Sequence, residues 1–318
     1  MYFRTTTTIA LSVAILILSP LDFVASASTS RSITRAVLSE EQDEGVGARV
    51  RRSIGRPELR NHDPFLMLDE FNVDSNGGFP DHPHRGFETV TYMLEGHFQH
   101  EDFAGHKGVI GPGDLQWMTA GRGIVHSEMP VKSNTRAHGL QLWINLPKEH
   151  KMCEPQYQEL LDQEIPRAQP EEGIVVKVMA GESYGVESKV YTRTPTMFLD
   201  FKMEPHKVAE QIIPSEYNGF IYMLSGTAFI GDSESGIFEG KAHHTLIFSE
   251  DEKDKVRIET RDEPAHFVFI AGQPLREPIV QHGPFVMNTN EEIHETFFDF
   301  RNALNGFERA DQWRSMIE

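Results

Sequence analysis

Two short pairs of metal-binding residue types stand out in this chain of 318 residues. His82 and His84 are separated by one residue, and farther along the chain His126 and Glu128 have the same spacing. On a β-strand, residues i and i+2 point to the same face, so each pair can aim both side chains into one interior. Two such pairs on neighbouring strands would offer three imidazole nitrogens and one carboxylate oxygen to a single ion.

This donor set favours a divalent transition metal. Imidazole and carboxylate without thiolate suit iron, manganese, nickel, copper or zinc rather than calcium. Four protein ligands on an ion that prefers six leave two positions for water, dioxygen or substrate, which permits catalysis as well as storage or sensing. The single negative charge of the ligands leaves a divalent ion with a net positive charge, which attracts an anionic substrate oxygen.

Other ligand-type residues leave alternatives open. Glu88 follows the first pair closely, so it either competes as a ligand or supports the ligands through hydrogen bonds. A stretch rich in histidine and acidic residues is interpreted as a solvated loop around a turn: His97, His100, Glu101, Asp102 and His106. His243 and His244 are neighbours that would point to opposite faces of a strand, so they are interpreted as structural or exposed.

The single cysteine, Cys153, is not predicted to be a nucleophile. The adjacent Glu154 disfavours the thiolate, and no motif supplies a base. One cysteine also cannot form a disulfide within the chain. Neither a glycine-rich phosphate loop nor a nucleophile elbow is apparent, so nucleotide use and serine hydrolysis fit poorly.

Short runs of alternating apolar and polar residues, separated by turn signals, predict an all-β protein. Strands are predicted over three segments: 87–94, 115–118 and 140–146. Short helices are predicted around two: 157–161 and 301–313. Pro83, between the first two histidines, cannot donate a ladder hydrogen bond, so that pair is placed at the start or edge of a strand.

A weak internal repeat indicates two similar halves. Tyr92–Gly96 (YMLEG) recurs as Tyr222–Gly226 (YMLSG), and Ala137-His138 recurs as Ala265-His266, each before an apolar strand. The separations of 130 and 128 residues describe one register, so the repeat predicts two tandem β-barrels. The boundary is placed in the proline- and glutamate-rich segment 163–173, between an N-terminal domain over 28–165 and a C-terminal domain over 174–318.

Residues 1–27 are predicted to be a signal peptide. Arg4 precedes an apolar run from Ile9 to Leu18, and small residues at 25–27 offer a cleavage site. The run is short for a membrane span, so no stable span is expected after the leader is removed. Cleavage would direct the protein to the secretory pathway or outside the cell; a retained anchor is the alternative. The formal charge of −18 argues against direct binding of nucleic acid.

These residues resemble the pirin family of the cupin superfamily. The resemblance is close over Val37–Pro147, and Asp114–Gly123 (DLQWMTAGRG) is especially typical of that family. It implies a bicupin: two tandem jelly-roll barrels with a few short helices. Pirins are usually found in the cytoplasm and nucleus, which is the alternative to secretion.

The resemblance also implies a metal ion in the N-terminal barrel only. The family's ligand positions fall on His82, His84, His126 and Glu128, with iron(II) as the expected metal and other divalent transition metals as alternatives. Glu88 then lies outside the ligand set. Counting back from the repeated tyrosine, the second barrel has Ile212 and Pro214 in place of the histidine pair.

Two functions follow from the resemblance, and a structural or storage cupin is a third. The first is a quercetinase, a flavonol 2,3-dioxygenase that acts on a small aromatic substrate with dioxygen, with Glu128 as the general base. The second is an iron-redox-dependent transcription co-regulator. Its partner surface would be a basic run on an acidic chain, although these residues could instead pair with local carboxylates: Arg49, Arg51, Arg52 and Arg56. A monomer is expected.

Overall fold

The structure, a computed structural model, describes residues 29–317. The predicted signal peptide therefore lies outside the described residues. The strands of the first half are β1 (Ile33–Leu38), β2 (Glu40–Glu44), β3 (Ala48–Ile54), β4 (Phe65–Val73), β5 (Phe79–His84), β6 (Phe87–Glu95), β7 (Phe98–Asp102), β8 (Lys107–Ile110), β9 (Leu115–Thr119), β10 (Ile124–Pro130), β11 (Ala137–Asn145) and β12 (Gln156–Leu160). Short 3-10 turns follow at Lys148–His150 and Asp162–Glu164.

The second half repeats this arrangement and ends in a helix. Its elements are β13 (Arg167–Ala168), β14 (Ile174–Ala180), β15 (Glu182–Ser183), β16 (Val186–Glu187), β17 (Thr196–Met203), β18 (Val208–Ile212), β19 (Asn218–Ile230), β20 (Phe238–Lys241), β21 (His244–Phe248), β22 (Lys255–Glu259), β23 (Ala265–Gly272), β24 (Val280–His282), β25 (Phe285–Met287) and α1 (Asn290–Asn302). The predicted all-β architecture with two similar halves is confirmed.

Each half consists of a large antiparallel sheet closed by a smaller group of strands. In the first half, one sheet has the order β12-β9-β6-β11-β4-β3-β2 and the other has the order β5-β10-β7-β8. In the second half, the main order is β1-β21-β19-β23-β17-β14-β13, and β18 and β22 form the smaller face with part of β19. The predicted histidine pair therefore lies on an edge strand, β5, as Pro83 requires.

The large sheets of the two halves pack against each other. Apolar residues of both halves form one buried cluster, which includes Val90, Leu115, Trp117, Leu140 and Leu142 from the first half and Phe198, Phe220, Val268 and Ile270 from the second. Strand β6 is accordingly buried on both faces, one towards its own barrel and one towards the other half. Apolar burial across this interface is the main term that holds the two barrels together.

The chain termini cross between the halves. Strand β1 pairs with β21, so the segment that follows the predicted leader belongs to the sheet of the second half. Just before β1, the buried guanidinium of Arg31 donates to backbone carbonyls of Pro214, Ser215, Tyr217 and Lys253 at 2.7–3.0 Å. At the other end, α1 and β25 share an apolar cluster with Val125 of β10. The predicted domain limits remain predictions.

A buried hydrogen-bonded triad connects the halves at the repeated tyrosine of the first half. Tyr92 of β6 donates to Oδ2 of Asp200 in β17 at 2.6 Å, and Nε2 of His266 in β23 lies 2.6 Å from Oδ1 of the same carboxylate. Burial alone would raise the pKa of Asp200, but the hydrogen bonds from His266 and Tyr92 outweigh it and lower that pKa.

A second triad lies at the repeated tyrosine of the second half. Tyr222 of β19 donates to Oε2 of Glu70 in β4 at 2.6 Å, and Nε2 of His138 in β11 lies 2.8 Å from Oε1. A fourth residue, His243, also contacts this carboxylate, with its Nδ1 atom 2.8 Å from Oε2 of Glu70. Burial again opposes ionisation, and the hydrogen bonds from His138 and Tyr222 lower the pKa of Glu70. The repeat thus consists of tyrosines that each bind the carboxylate of the opposite half.

Both predicted helices are wrong. Residues 156–160 pair with β9 as strand β12, so the segment around Tyr157 is extended. The helix near the C-terminus begins at Asn290, before the predicted 301–313, where turns follow instead. Thr289 and Glu292 form a capping box at its start, a signal that is visible in the sequence. Among residues 29–317, no helix is long and apolar enough to cross a membrane.

Candidate metal centre

Three histidine side chains converge inside the first barrel. Strand β5 pairs antiparallel with β10 so that His82 lies opposite His126. Nε2 of His82 is 3.0 Å from Nε2 of His126, and one ring nitrogen from each of His82, His84 and His126 lies within 4.8 Å of the others. His84 and His126 are buried. The i, i+2 spacing therefore brings three imidazoles together as predicted.

Glu128 reaches the same interior from β10. Its Oε2 atom lies 4.0 Å from Nε2 of His126. A register shift of β5 against β10 between His126 and Glu128 places Glu128 opposite Phe79. Two neutral side chains hold the carboxylate: Thr91 donates to Oε1 at 3.2 Å, and the amide of Gln141 donates to Oε2 at 3.0 Å. The four predicted ligands thus face one small volume, and the ligand set itself remains a prediction.

The histidines fit a cation because their environment keeps them neutral. Burial, followed by the neighbouring histidines, lowers the pKa of His84 and His126 well below the usual value. Burial also lowers the pKa of His82. A neutral imidazole offers a lone pair to a metal, whereas an imidazolium does not. This pocket therefore stabilises the form of histidine that binds metal.

Hydrogen bonding assigns the donor atom of His82. Its Nδ1 lies 2.7 Å from the carbonyl oxygen of Pro80, and a carbonyl only accepts, so Nδ1 carries the proton. Nε2 then presents a lone pair towards Nε2 of His126. Nδ1 of His84 and of His126 are buried without a hydrogen-bond partner among the described residues. Clustered neutral nitrogens beside a carboxylate are costly to bury unless a cation binds them.

Glu88 lies away from this cluster. Its Oε1 accepts from Thr119 of β9 at 2.7 Å, and no hydrogen bond to the clustered histidines is found among the described residues. It alternates along β6 with Thr91, which contacts Glu128. Burial raises the pKa of Glu88 to about 7 against the opposing bond from Thr119. Glu88 is therefore a buried acid of the region between the barrels.

The predicted solvated loop is wrong for two of its residues. His100 and Asp102 are buried on β7, which pairs with β10 so that they lie opposite Glu128 and His126. Asp102 accepts from His106 at 3.0 Å, and Nε2 of His100 lies 2.6 Å from Glu159 without hydrogen-bond geometry. Only the alternate residues of this strand face outward. His97 is exposed, as expected for a loop.

A cavity of about 530 Å³ opens onto the histidines. Its walls include Met67, Phe79, Gln141 and Trp143, and it also contacts the carboxylate of Asp69. Trp143 donates to Oε1 of Gln141 at 3.4 Å, so this wall is connected to the support of Glu128. Gln141, Thr91 and Trp143 were not singled out from the sequence, although their alternation on predicted strands could have indicated an inward orientation.

Each arginine of the predicted partner surface forms an ion pair. Arg49 and Arg51 pair with Glu41, and Arg56 pairs with Glu40 and Glu58. Arg52 binds both oxygens of Asp69 at 2.6–2.8 Å and also contacts Glu44. The carboxylates come mainly from β2 and lie directly beside β3. This arrangement matches the local-pairing alternative, and the partner surface remains a prediction.

The loop after His84 is anchored by the C-terminal segment. Arg85 is buried and forms an ion pair with Asp299 of α1 at 2.9 Å. It also donates to the carbonyls of Arg122 and Asn305 at 2.6 and 2.8 Å. A buried arginine with three such contacts has one orientation, so the helix of the second half fixes the end of the strand that carries His84.

The second barrel differs at the equivalent positions, which are shifted by one residue from those predicted. Gln211 of β18 is buried opposite Val256 of β22, as His82 lies opposite His126. Ile212 is instead 60% exposed and faces outward. The chain from β18 to Tyr222 is one residue longer than the chain from β5 to Tyr92, so counting back from the tyrosines selects the wrong face.

Comparisons with known proteins agree with this architecture. The family model described as Pirin matches residues 47–144, and the model described as Pirin C-terminal cupin domain matches residues 198–306. The chain is 59% identical to pirin of Homo sapiens over 91% of this chain and 99% of the relative. It is 56% identical to a pirin-like protein of Solanum lycopersicum over 91% of this chain and 97% of the relative.

A solved structure is also similar. Quercetin 2,3-dioxygenase from Acinetobacter baumannii is 30% identical, with a TM-score of 0.79 over 86% of this chain and 98% of that one. The family models and this structure confirm the bicupin fold that the resemblance implied. This chain belongs to the pirin family.

Proposed function

We propose that this pirin is an iron(II)-dependent dioxygenase that opens the ring of flavonol-type substrates. The observation that carries the proposal is a cluster of three neutral imidazoles beside a carboxylate, two of which, His82 and His84, line an open cavity. The 30% identity to a quercetin 2,3-dioxygenase of the same fold supports the substrate class. Fold alone does not determine chemistry, so the geometry of the residues carries the argument.

The proposed ligands are His82, His84, His126 and Glu128. Three neutral nitrogens and one anionic oxygen suit iron(II) and do not require thiolate. A ferrous ion held there supplies Lewis acidity and a one-electron redox couple. The remaining work falls to side chains of the cavity.

Glu128 is the proposed general base for the substrate hydroxyl. Thr91 and Gln141 each donate to one of its oxygens, so the carboxylate has a fixed position without a neighbouring cationic side chain. A carboxylate held by neutral donors can still accept a proton from a hydroxyl within hydrogen-bond reach. Thr91 and Gln141 are therefore positioning residues for this step.

The cavity walls suit a flat aromatic substrate. The ring of Trp143 meets His84 edge to face and Phe87 at a tilt, with ring centroids 5.3 and 4.4 Å apart respectively, and Met67 and Phe79 add apolar surface. Aromatic walls bind planar rings and exclude water from the reacting atoms. A volume of about 530 Å³ lies within the range of small-molecule sites.

The test is metal analysis together with oxygen consumption. Purified protein stripped of metal and reloaded with iron(II) should bind one equivalent and consume dioxygen with quercetin as substrate. Glu128→Ala and His84→Ala should abolish consumption, whereas Glu88→Gln, which changes a buried carboxylate outside the cluster, should retain it. Stoichiometric iron without oxygen uptake across a panel of flavonols would overturn the enzymatic proposal while leaving the metal site intact.

The alternative, a redox-dependent interaction module, receives no comparable support. Its predicted surface consists of arginines that already contact carboxylates, at 2.5–3.0 Å for Arg49 and Arg51. A partner would have to displace these pairs. We therefore place the enzymatic function first.

A further inference from the structure

The second barrel has a cavity of its own, with a volume of about 650 Å³. It lies beside β18 and the start of β17, whereas the metal-site cavity lies beside β5 and β4. Gln211 and Met197 line it, and these residues correspond to His82 and Met67 of the first cavity. The two barrels therefore have cavities in equivalent places, and of these two only the cavity of the first barrel faces the histidine cluster.

The walls of this second cavity are aromatic and apolar. Tyr184, Tyr191, Tyr217 and Ile212 all contribute. Three of these side chains are unusually exposed for their type: Tyr191 at 61%, Ile212 at 60% and Tyr184 at 41%. Clustered exposed apolar surface in a concave site is typical of ligand binding rather than of packing.

The charged residues that line this cavity are all negative. Glu182, Glu187 and Glu210 contribute carboxylates, and the residues that line the cavity include no lysine or arginine. Glu210 contacts Lys255 at 3.2 Å. Among residues 29–317, Glu182 and Glu187 have no ion-pair partner. The cavity therefore repels anions and attracts cations.

These two glutamates also lie directly opposite each other. Glu182 of β15 pairs with Glu187 of β16 in a two-stranded hairpin. Like charges at directly opposed positions destabilise a hairpin, and a two-stranded hairpin has little stability to spare. A cation bound between them would remove this repulsion. The facing carboxylates therefore destabilise the empty hairpin and would stabilise a bound cation.

The turn of the same hairpin places a tyrosine at the edge of the cavity. Tyr184 has φ of +48° and is followed by Gly185 at +77°. These are the two loop residues between the paired Ser183 and Val186, and a two-residue hairpin turn of this kind requires positive φ at both positions. The hydroxyl of Tyr184 accepts a hydrogen bond from the backbone N–H of Glu210 at 3.0 Å, and Ser183 donates to Gln211 at 2.7 Å. These bonds tie the hairpin to β18 at the edge of the cavity.

We propose that this cavity binds a small organic cation, a quaternary or protonated amine that carries an aromatic or alkyl group. Tyrosine rings attract a cationic headgroup through their faces, and the facing glutamates neutralise it. The apolar walls take the remainder of the molecule. A hydrated inorganic ion would gain little from such walls, and the carboxylates of the lining disfavour an anion.

The test uses the full metal-loaded chain and benzyltrimethylammonium as the probe. Phenylacetate serves as the anionic comparison, and choline with its neutral carbon analogue, dimethylbutanol, serves as a pair matched in shape. Nuclear magnetic resonance titration should show shifts at Tyr184, Tyr191 and the hairpin. We expect both cations to bind at least about fivefold more tightly than their comparison compounds, because a cation–π contact and a half-exposed ion pair together have that magnitude.

Variants locate the site. Replacing both glutamates, Glu182→Gln with Glu187→Gln, should weaken binding of the cations about threefold and reduce their advantage over the comparison compounds. Tyr191→Ala should weaken it to a similar degree. The matched control, Glu234→Gln with Glu252→Gln, changes two glutamates outside the cavity and should have no effect. An unchanged thermal transition shows that each variant is folded.

Two outcomes would overturn the proposal. One is equal affinity for choline and dimethylbutanol; the other is an unchanged affinity for both cations in the variant that combines Glu182→Gln with Glu187→Gln. Chelation of the metal should leave probe binding unchanged, which distinguishes this site from the cavity beside the histidines. The result is thus independent of whether the flavonol reaction is found.

Discussion

The two barrels have the same strand pairing, but the interior of the first contains polar residues and the interior of the second is apolar. In the first barrel, the strand pair β5 and β10 presents His82 and His126 to the interior. In the second, β18 and β22 present Gln211 and Val256 at the same positions. The remainder of the second interior is a continuous apolar cluster in which Phe201 stacks on Phe267 and meets Phe269 at a tilt.

This difference shows how one fold separates stability from chemistry. An apolar interior is satisfied by packing alone, whereas the first interior contains nitrogens without partners. Glu128 has Ile258 as its counterpart, so the position of the base is also apolar in the second barrel. The second barrel can therefore serve as a rigid support, and its helix α1 holds Arg85, the neighbour of His84 in the chain.

Converting the first interior to the composition of the second should have the largest effect. The double variant His126→Val with Glu128→Ile copies the residues of β22 into β10. We expect metal affinity to fall at least about a hundredfold and oxygen uptake to disappear, because two of four donors are lost. Metal content after dialysis measures the change. Retention of one equivalent of metal would show that these residues are not ligands.

The reverse exchange sharpens the comparison. Val256→His with Ile258→Glu should not create a metal site, because Gln211 and Ile213 supply no imidazole. It should instead destabilise the protein by about 3 kcal/mol, since two polar groups enter an apolar core. Chemical denaturation with and without iron checks both expectations.

The sequence was sufficient for the features that depend on local spacing. The pairs 82/84 and 126/128 could be predicted because residues i and i+2 of a strand always point to the same face. The repeat of Tyr92 and Tyr222 was also visible, but its carboxylate partners were not, because any of many acidic residues could have filled that role. Glu70 and Asp200 are identified only when the two sheets are placed face to face.

Other errors came from long-range pairing that overrides local signals. His100 and Asp102 are polar and close to a turn, yet β10 draws them into a buried strand. One additional residue before Tyr222 moved the expected face of β18 from Gln211 to Ile212. The region around Tyr157 is extended because an edge of β9 was available to pair with it.

A buried acid between the barrels gives a second difference that can be tested. Glu88 has its pKa raised to about 7 by burial, and Asn218 occupies the equivalent position of the second barrel, where it donates to the carbonyl of Asp63. Since the folded pKa exceeds the unfolded value of about 4.5, stability from this residue falls as pH rises from about 4.5 to 7. Glu88→Gln should remove that decline.

At pH 8 the Glu88→Gln variant should therefore be more stable than the parent by about 1–3 kcal/mol, and at pH 4.5 the two should be similar. Urea denaturation across this range measures the difference. The amide retains an oxygen that can accept from Thr119, so the variant preserves the existing hydrogen bond. A constant difference at all pH values would mean that Glu88 does not titrate in this window.

The smallest expected effects come from the two triads. They occupy equivalent positions, but their carboxylates have different numbers of hydrogen-bond partners. Glu70 has three partners, since His138 and His243 remain when Tyr222 is changed. Among the described residues, Asp200 keeps only His266 as a hydrogen-bond partner when Tyr92 is changed.

Tyr92→Phe should accordingly cost about 2 kcal/mol of unfolding free energy and Tyr222→Phe about 1 kcal/mol, because loss of a hydrogen bond costs more when fewer donors remain to a buried carboxylate. Urea denaturation at pH 7 measures both, and the double variant tests whether the costs add. Equal costs would show that the additional histidine at Glu70 contributes nothing. A larger cost for Tyr222→Phe would mean that Glu70 depends on its tyrosine more than Asp200 does, in spite of the two histidines.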